Sequence, residues 1–126
     1  LIDGLKSDLR IYVAVTSISP LRIYMYEEGL TRFATTQYVT PEENQDVNGR
    51  KGKYAHLTNY SINKKNSAFV QNSDASHDIQ GSKWSLRGFR KVLQANKIDD
   101  RAIFKKIQDV IIKSFVSVES LMVSAF

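Results

Sequence analysis

The stretch LRIYVAVTSISPLRIYMYEEGLTRFAT, residues 9–35, decides the fold. In its first part Leu9, Ile11, Val13 and Val15 alternate with Arg10, Tyr12, Ala14 and Thr16, the period of two that marks a half-buried strand. The pattern returns in Leu21, Ile23 and Met25 against Arg22, Tyr24 and Tyr26, after a Ser17-Ile18-Ser19-Pro20 connection suited to a hairpin. Glu27, Glu28 and Gly29 then read as a second turn, with LTRFAT (30–35) as a third short strand, so that the three together predict an antiparallel meander.

Outward from these strands the character changes twice. TPEENQDVNGRKGK (40–53) and QNSDASHDIQGSK (71–83) carry the Gly, Asn, Asp and Ser of loops, and they flank HLTNYSINKKN (56–66), in which only Leu57 and Ile62 are apolar. After Lys83 the period becomes helical. Leu86, Phe89 and Leu93 predict one helix that stops near Asn96. A second and longer one starts at Asp99 or Asp100, either carboxylate suiting an N-cap, and lays Ile103, Ile107, Val110, Ile111, Phe115, Val118 and Met122 along a core-facing stripe. The expected class is α+β, antiparallel strands followed by two helices, in one domain covering 1–126.

Composition narrows the chemistry. With no cysteine among 126 residues, disulfides, thiolate zinc sites and cysteine nucleophiles are all excluded from this sequence, and a reducing cytoplasmic setting is expected. No apolar run approaches bilayer-spanning length, so no membrane association is expected. The chain opens in LIDGLKSDLR without an initiator Met and stops inside the helical pattern SVESLMVSAF, which reads as a piece of a larger protein. Eighteen Lys and Arg against thirteen Asp and Glu give a formal charge of +5, favouring an acidic partner such as a nucleotide, a nucleic acid or an acidic peptide.

Within the first strand Lys6, Asp8 and Arg10 are spaced i, i+2, i+4 and share one face, opposite Leu9, Ile11 and Val13. An aspartate between two cations is also an ordinary ion-pair ladder on a solvated strand. Arg32 can point to the same face, and the four groups would then fit phosphate and ribose, the cations neutralising the one and the carboxylate accepting from the other. Neither a phosphate-binding G-x-x-x-x-G-K-[ST] loop nor G-x-G-x-x-G is present. His56 and His77 lack metal-ligand spacing, and His56 suits a structural or site-lining hydrogen bonder.

The string DLRIYVAVTSISPLRIYMYEEGLTRFAT, with HLTNYSINKKN and GSKWSL after it, resembles the tubulin tyrosine ligase-like family, in particular its glutamylating branch, over nearly the whole chain. The resemblance implies the central part of an ATP-grasp ligase domain, incomplete at both ends. It implies an enzyme that uses ATP and magnesium to join free L-glutamate to glutamate side chains in tubulin tails, a tubulin polyglutamylase, through an acyl phosphate on the acceptor. It further implies that Lys6, Asp8, Thr58 and Asn59 contact ATP, that Arg10 faces the phosphates and the reacting carboxylate, and that Arg32, Tyr60, Ser61 and Lys83 hold the incoming amino acid. Tubulin tails or microtubules are the implied partners, with neither nucleic acid nor membrane, and the implied location is the cytoplasmic microtubule cytoskeleton, including cilium or basal body.

Ser7 stands where the family reads Phe between the lysine and the aspartate. The family's magnesium ligands belong to a segment beyond the last helix, so they are expected outside this chain, and the piece alone is expected to be inactive. A glycine- or tyrosine-adding member of the same family is the nearest alternative. The alternative from another class is a non-catalytic basic module that docks acidic peptide or nucleic acid.

Overall fold

The structure is a computed structural model and describes residues 1–40, 50–71 and 79–125, the side chains of 50 and 51 excepted. Its strands are β1 (Ser7–Ile18), β2 (Leu21–Phe33) and β3 (Lys83–Ser85), forming one sheet in the order β1-β2-β3. The helices are α1 (Arg50–His56), α2 (Tyr60–Asn63), α3 (Leu86–Ala95), α4 (Asp100–Val116) and α5 (Glu119–Ala125). The expected α+β class holds, with antiparallel strands followed by helices.

The hairpin is the one the alternation predicts, with strands longer than expected and a tighter Ser19-Pro20 connection whose peptide bond is cis. The meander does not hold. No turn forms at Glu27–Gly29, and β2 runs unbroken through LTRF; the third strand is Lys83–Ser85, which pairs antiparallel with β2 as Leu30↔Ser85, Thr31↔Trp84 and Arg32↔Lys83. The reason lies in Gly29, whose place is set by close approach. A Cβ there would lie 2.2 Å from the Arg10 carbonyl oxygen and 2.9 Å from Leu86 Cδ1, so the missing side chain admits a neighbouring backbone and a core leucine.

Ahead of β1, Ile2 and Leu5 exchange backbone hydrogen bonds of 3.1 and 2.9 Å around Asp3 (φ 48°) and Gly4 (φ 74°). Two positive φ angles in succession are what a tight Asp-Gly hairpin requires. The segment after β2 returns here, since the Tyr38 amide donates to the Gly4 carbonyl at 2.9 Å.

The chain divides into two compact units, Leu1–Arg10 with Gly29–Phe89, and Ile11–Glu28 with Arg90–Phe126. In the first, Phe33, Ala34, Ala55, Leu86 and Phe89 are buried. In the second, Leu93 and Phe104 are buried beside Asp100, whose carboxylate receives Arg90 Nε at 2.6 Å and Gln94 Nε2 at 3.0 Å. The hydrogen bonds from Gln94 and Arg90 hold the Asp100 carboxyl below its ordinary pKa.

One helix boundary follows the sequence reading and another departs from it. Asp99 is the N-cap of α4, accepting from the Ala102 amide at 3.0 Å, which frees Asp100 for the buried pair just described. The long helix breaks at 117–118, where Ser114 and Ser117 return their hydroxyls to the Val110 and Ser114 carbonyls and the Val118 amide reaches back only to Phe115. Val110 and Val118, expected in the core stripe, are exposed. Residues 50–53, expected as loop, begin α1. Of the two polar loops, 41–49 and 72–78, including His77, lie outside the described residues.

Gly29→Ala should destabilise the protein by about 1–3 kcal/mol, since the methyl must displace a backbone carbonyl. A urea unfolding midpoint equal to that of the parent would show that the strands are not this close.

Candidate functional site

All the residues singled out from the sequence lie in the first unit. Their arrangement begins with the backbone: the Ala34 amide donates to the Lys6 carbonyl at 2.9 Å, tying the start of β1 to the end of β2. Asp8 and Arg32 therefore meet. Arg32 Nε donates to Asp8 Oδ1 at 3.1 Å and its Nη2 to Asp8 Oδ2, a two-pronged ion pair. Partial burial works to raise the Asp8 pKa, but the hydrogen bonds from Arg32 and Thr58 and the Arg32 charge outweigh it, so the carboxyl sits below its usual range. Asp8 is thus a carboxylate at neutral pH. Lys6 and Arg10, on either side of it in sequence, are exposed.

Lys83 stands opposite Arg32 in the β2–β3 register, so the two side chains leave the same face of the strand pair. Its Nζ lies 4.6 Å from the centre of the Tyr60 ring. Lys64 Nζ is 5.4 Å from the same centre, and Phe69 meets the ring edge-on at 5.6 Å. A phenol ring at cation–π distance from two ammonium groups is held by both and leaves both able to meet an anion. Tyr60 itself is 42% exposed.

The opposite face of the same strands is apolar. Phe33 and Trp84 pack at 4.5 Å between ring centres, and a cavity of about 250 Å³ lies against them, lined also by Ile2, Leu5, Ala34 and Val70. Alternation along β2 and β3 puts this cavity on the side away from Arg32 and Lys83. It is therefore separate from the charged face.

HLTNYSINKKN is held in place from within. Asn63 is 1% exposed. Its Oδ1 accepts from the Thr35 amide at 3.2 Å and the Thr35 hydroxyl at 2.7 Å, while its Nδ2 donates to the Leu57 and Asn59 carbonyls at 2.7 and 3.1 Å. Asn66 Nδ2 donates to the Thr35 hydroxyl at 2.8 Å, and its Oδ1 accepts from the Ala68 amide. The end of β2 and the polar run are thereby stitched together, with Thr58 turned to Asp8 and Tyr60 under Lys83.

Not every expected residue joins the cluster. Asn59 caps α2 through its backbone; its side chain makes no cap hydrogen bond and is exposed, as is Ser61. His56 packs edge-on against Tyr38 at 5.2 Å between ring centres, and its buried Nε2 has no hydrogen-bond partner among the described residues. Asn63, Asn66 and Thr35 were not singled out in the sequence. Their signal was the i, i+3 asparagine pair inside the run and the Thr35-Thr36 doublet closing the strand. Lys64 was likewise absent from the expected site.

Among the described residues no three His, Asp or Glu side chains gather as a metal site. None of the described helices is long and apolar enough to cross a membrane.

A family model of the tubulin-tyrosine ligase family matches residues 1–126. The chain belongs to that family. Among similar proteins are tubulin monoglutamylase TTLL4 of Mus musculus, 44% identical over 94% of this chain and 10% of that protein, and tubulin polyglutamylase TTLL5 of Homo sapiens, 41% identical over 99% and 9%. Tubulin polyglutamylase TTLL13 of Mus musculus is 45% identical over 97% of this chain and 14% of its own length. The chain thus spans about a tenth of the curated relatives it matches.

Asn63→Ala should cost about 2–4 kcal/mol, because it strands two carbonyls and the Thr35 donors in a buried place. Denaturant unfolding of parent and variant measures it; a loss no larger than that of an exposed substitution would remove Asn63 from this role. The depressed Asp8 pKa sets the sign of a second expectation. Its folded value lies below the ordinary 3.8, so the ion pair adds stability above that pH and loses it as pH falls through the folded value. Parent and Asp8→Asn should therefore converge in stability under acid conditions and separate at neutral pH.

Proposed function

We propose that this chain supplies the amino-acid side and part of the nucleotide side of an ATP-dependent ligase that adds glutamate to side-chain carboxylates of glutamates in tubulin tails. The observation that supports this most is Lys83, in register with Arg32 and 4.6 Å from the Tyr60 ring. Free glutamate brings two carboxylates, and two cations rising from adjacent strands suit them: Arg32 for the one on the α-carbon, Lys83 for the one on the side chain. Glycine has no second carboxylate and tyrosine ends in a neutral phenol, so the second cation favours glutamate among the three. The names of the relatives, tubulin mono- and polyglutamylases, support the same substrate.

The donor set also suits part of a nucleotide. Asp8, ionised and steadied by Thr58, is an acceptor for ribose hydroxyls, with exposed Lys6 beside it for the adenine and ribose and exposed Arg10 a cation for the phosphates. ATP would supply the phosphoryl group that turns the acceptor carboxylate into an acyl phosphate, from which the isopeptide bond forms with release of phosphate. Arg10 offsets negative charge where that carboxylate is activated. Arg32 and Lys83, together with Tyr60 and Ser61, orient free glutamate with its amino group toward the acceptor. Asn59, exposed at the start of α2, is available to the nucleotide. The magnesium that such chemistry uses is assigned no ligand among the described residues. The acceptor, an acidic tail on microtubules, matches the formal +5 of the chain and implies a cytoskeletal location.

In the full-length protein Lys83→Ala should lower glutamate transfer to microtubules by about tenfold, the loss expected for one charged hydrogen bond, and leave the KM for ATP nearly unchanged. Labelled-glutamate incorporation measures it, and a parental rate would remove Lys83 from the amino-acid pocket.

A further inference from the structure

Arg32 spends its Nε and Nη2 edge on Asp8, one nitrogen to each carboxylate oxygen. That edge is one of the two with which a guanidinium grips a carboxylate through two parallel bonds, and the Asp8 carboxylate on it offsets the positive charge that either edge would present to a substrate carboxylate. The proposed function gives Arg32 to the carboxylate of free glutamate and Asp8 to a ribose, two tasks that compete with their mutual pairing. Their side chains are 25% and 36% exposed, so an incoming carboxylate can reach the guanidinium, and a pair this open is held only loosely. The backbones are fixed by the sheet and by the Ala34 to Lys6 hydrogen bond, which leaves side-chain rotation as the way to part them. Thr58 remains as a second donor to Asp8 when Arg32 leaves, so the freed carboxylate keeps a hydrogen bond and its orientation.

From this we infer that Asp8 is a resident stand-in for the substrate carboxylate on Arg32, and that exchange of the two couples amino-acid binding to nucleotide binding. Glutamate takes the fork and releases Asp8 to the ribose; nucleotide takes Asp8 and opens the fork to glutamate. Each ligand then raises the affinity of the other by the same factor, as linkage requires. The inference rests on the proposed function of the same site. It adds a positioning role for Asp8 that a simple binding residue would not have, since removing its charge should help one ligand while harming the other.

The test is calorimetry on the full-length protein with L-glutamate, in the presence and absence of a non-hydrolysable ATP analogue. In the parent the analogue should tighten glutamate binding by about threefold to tenfold. Asp8→Asn, which keeps the shape but not the charge, should bind glutamate more tightly than the parent when nucleotide is absent, bind the analogue more weakly, and show no effect of either ligand on the other. Arg32→Lys keeps the charge without the fork, and should weaken glutamate binding and shrink the coupling. Asp8→Asn with unchanged or weaker glutamate binding, or with the coupling intact, would overturn the exchange while leaving the ligase reading in place. A parent that binds the analogue but not glutamate would overturn both.

Discussion

The buried carboxamide of Asn63 is the interaction on which the arrangement of the charged face depends. Its oxygen takes the amide and hydroxyl of Thr35 and its nitrogen serves the carbonyls of Leu57 and Asn59, so a single side chain fixes the end of β2 to the polar run. Arg32 lies three residues before Thr35, and Thr58 and Tyr60 lie within a few residues of Asn63. Once that seam is closed, the Asp8–Arg32 pair has Thr58 at its side and Lys83 has an aromatic ring beneath it. A buried amide with both ends satisfied is costly to move, which suits a scaffold whose other polar groups must stay available to ligands.

The strands show how far periodicity reaches. Alternation over 9–16 and 21–26 located the hairpin; Arg32, read as part of a separate third strand able to share the face of Asp8, instead lies on β2 and pairs with Asp8 from there. Alternation misread Glu27–Gly29 as a turn, because a glycine needed for close approach and a glycine needed for a bend look alike in sequence, and only the Arg10 carbonyl and Leu86 packed against Gly29 tell them apart. The true third strand, Lys83–Ser85, is only three residues long, too short to show any period. Its register with β2 is nevertheless what sets Lys83 beside Arg32.

For the candidate site, residue chemistry was more legible than role. The polar run was recognised as unusual, yet its hydrogen-bonding capacity is divided between two tasks: Asn63 and Asn66 hold the run in place, while Thr58 and Tyr60 face the charged groups. Sequence could not make that division, since asparagines inside and outside a fold have the same formula and differ only in what surrounds them. Nor could it show that Asp8 and Arg32 pair with one another. What the sequence did settle elsewhere, the Asp99 cap of α4 and the stripe through Ile103 and Ile107, concerns the second unit.

The central claim is that this face selects glutamate in an ATP-dependent ligation. Its most direct measurement is mass spectrometry of tubulin tails after incubation of the full-length protein with microtubules and equal concentrations of glutamate, glycine and tyrosine, with and without MgATP. The account predicts that glutamate alone is added to tail glutamates, and only with MgATP. Addition of glycine or tyrosine in its place, or no ATP-dependent addition at all, would contradict it.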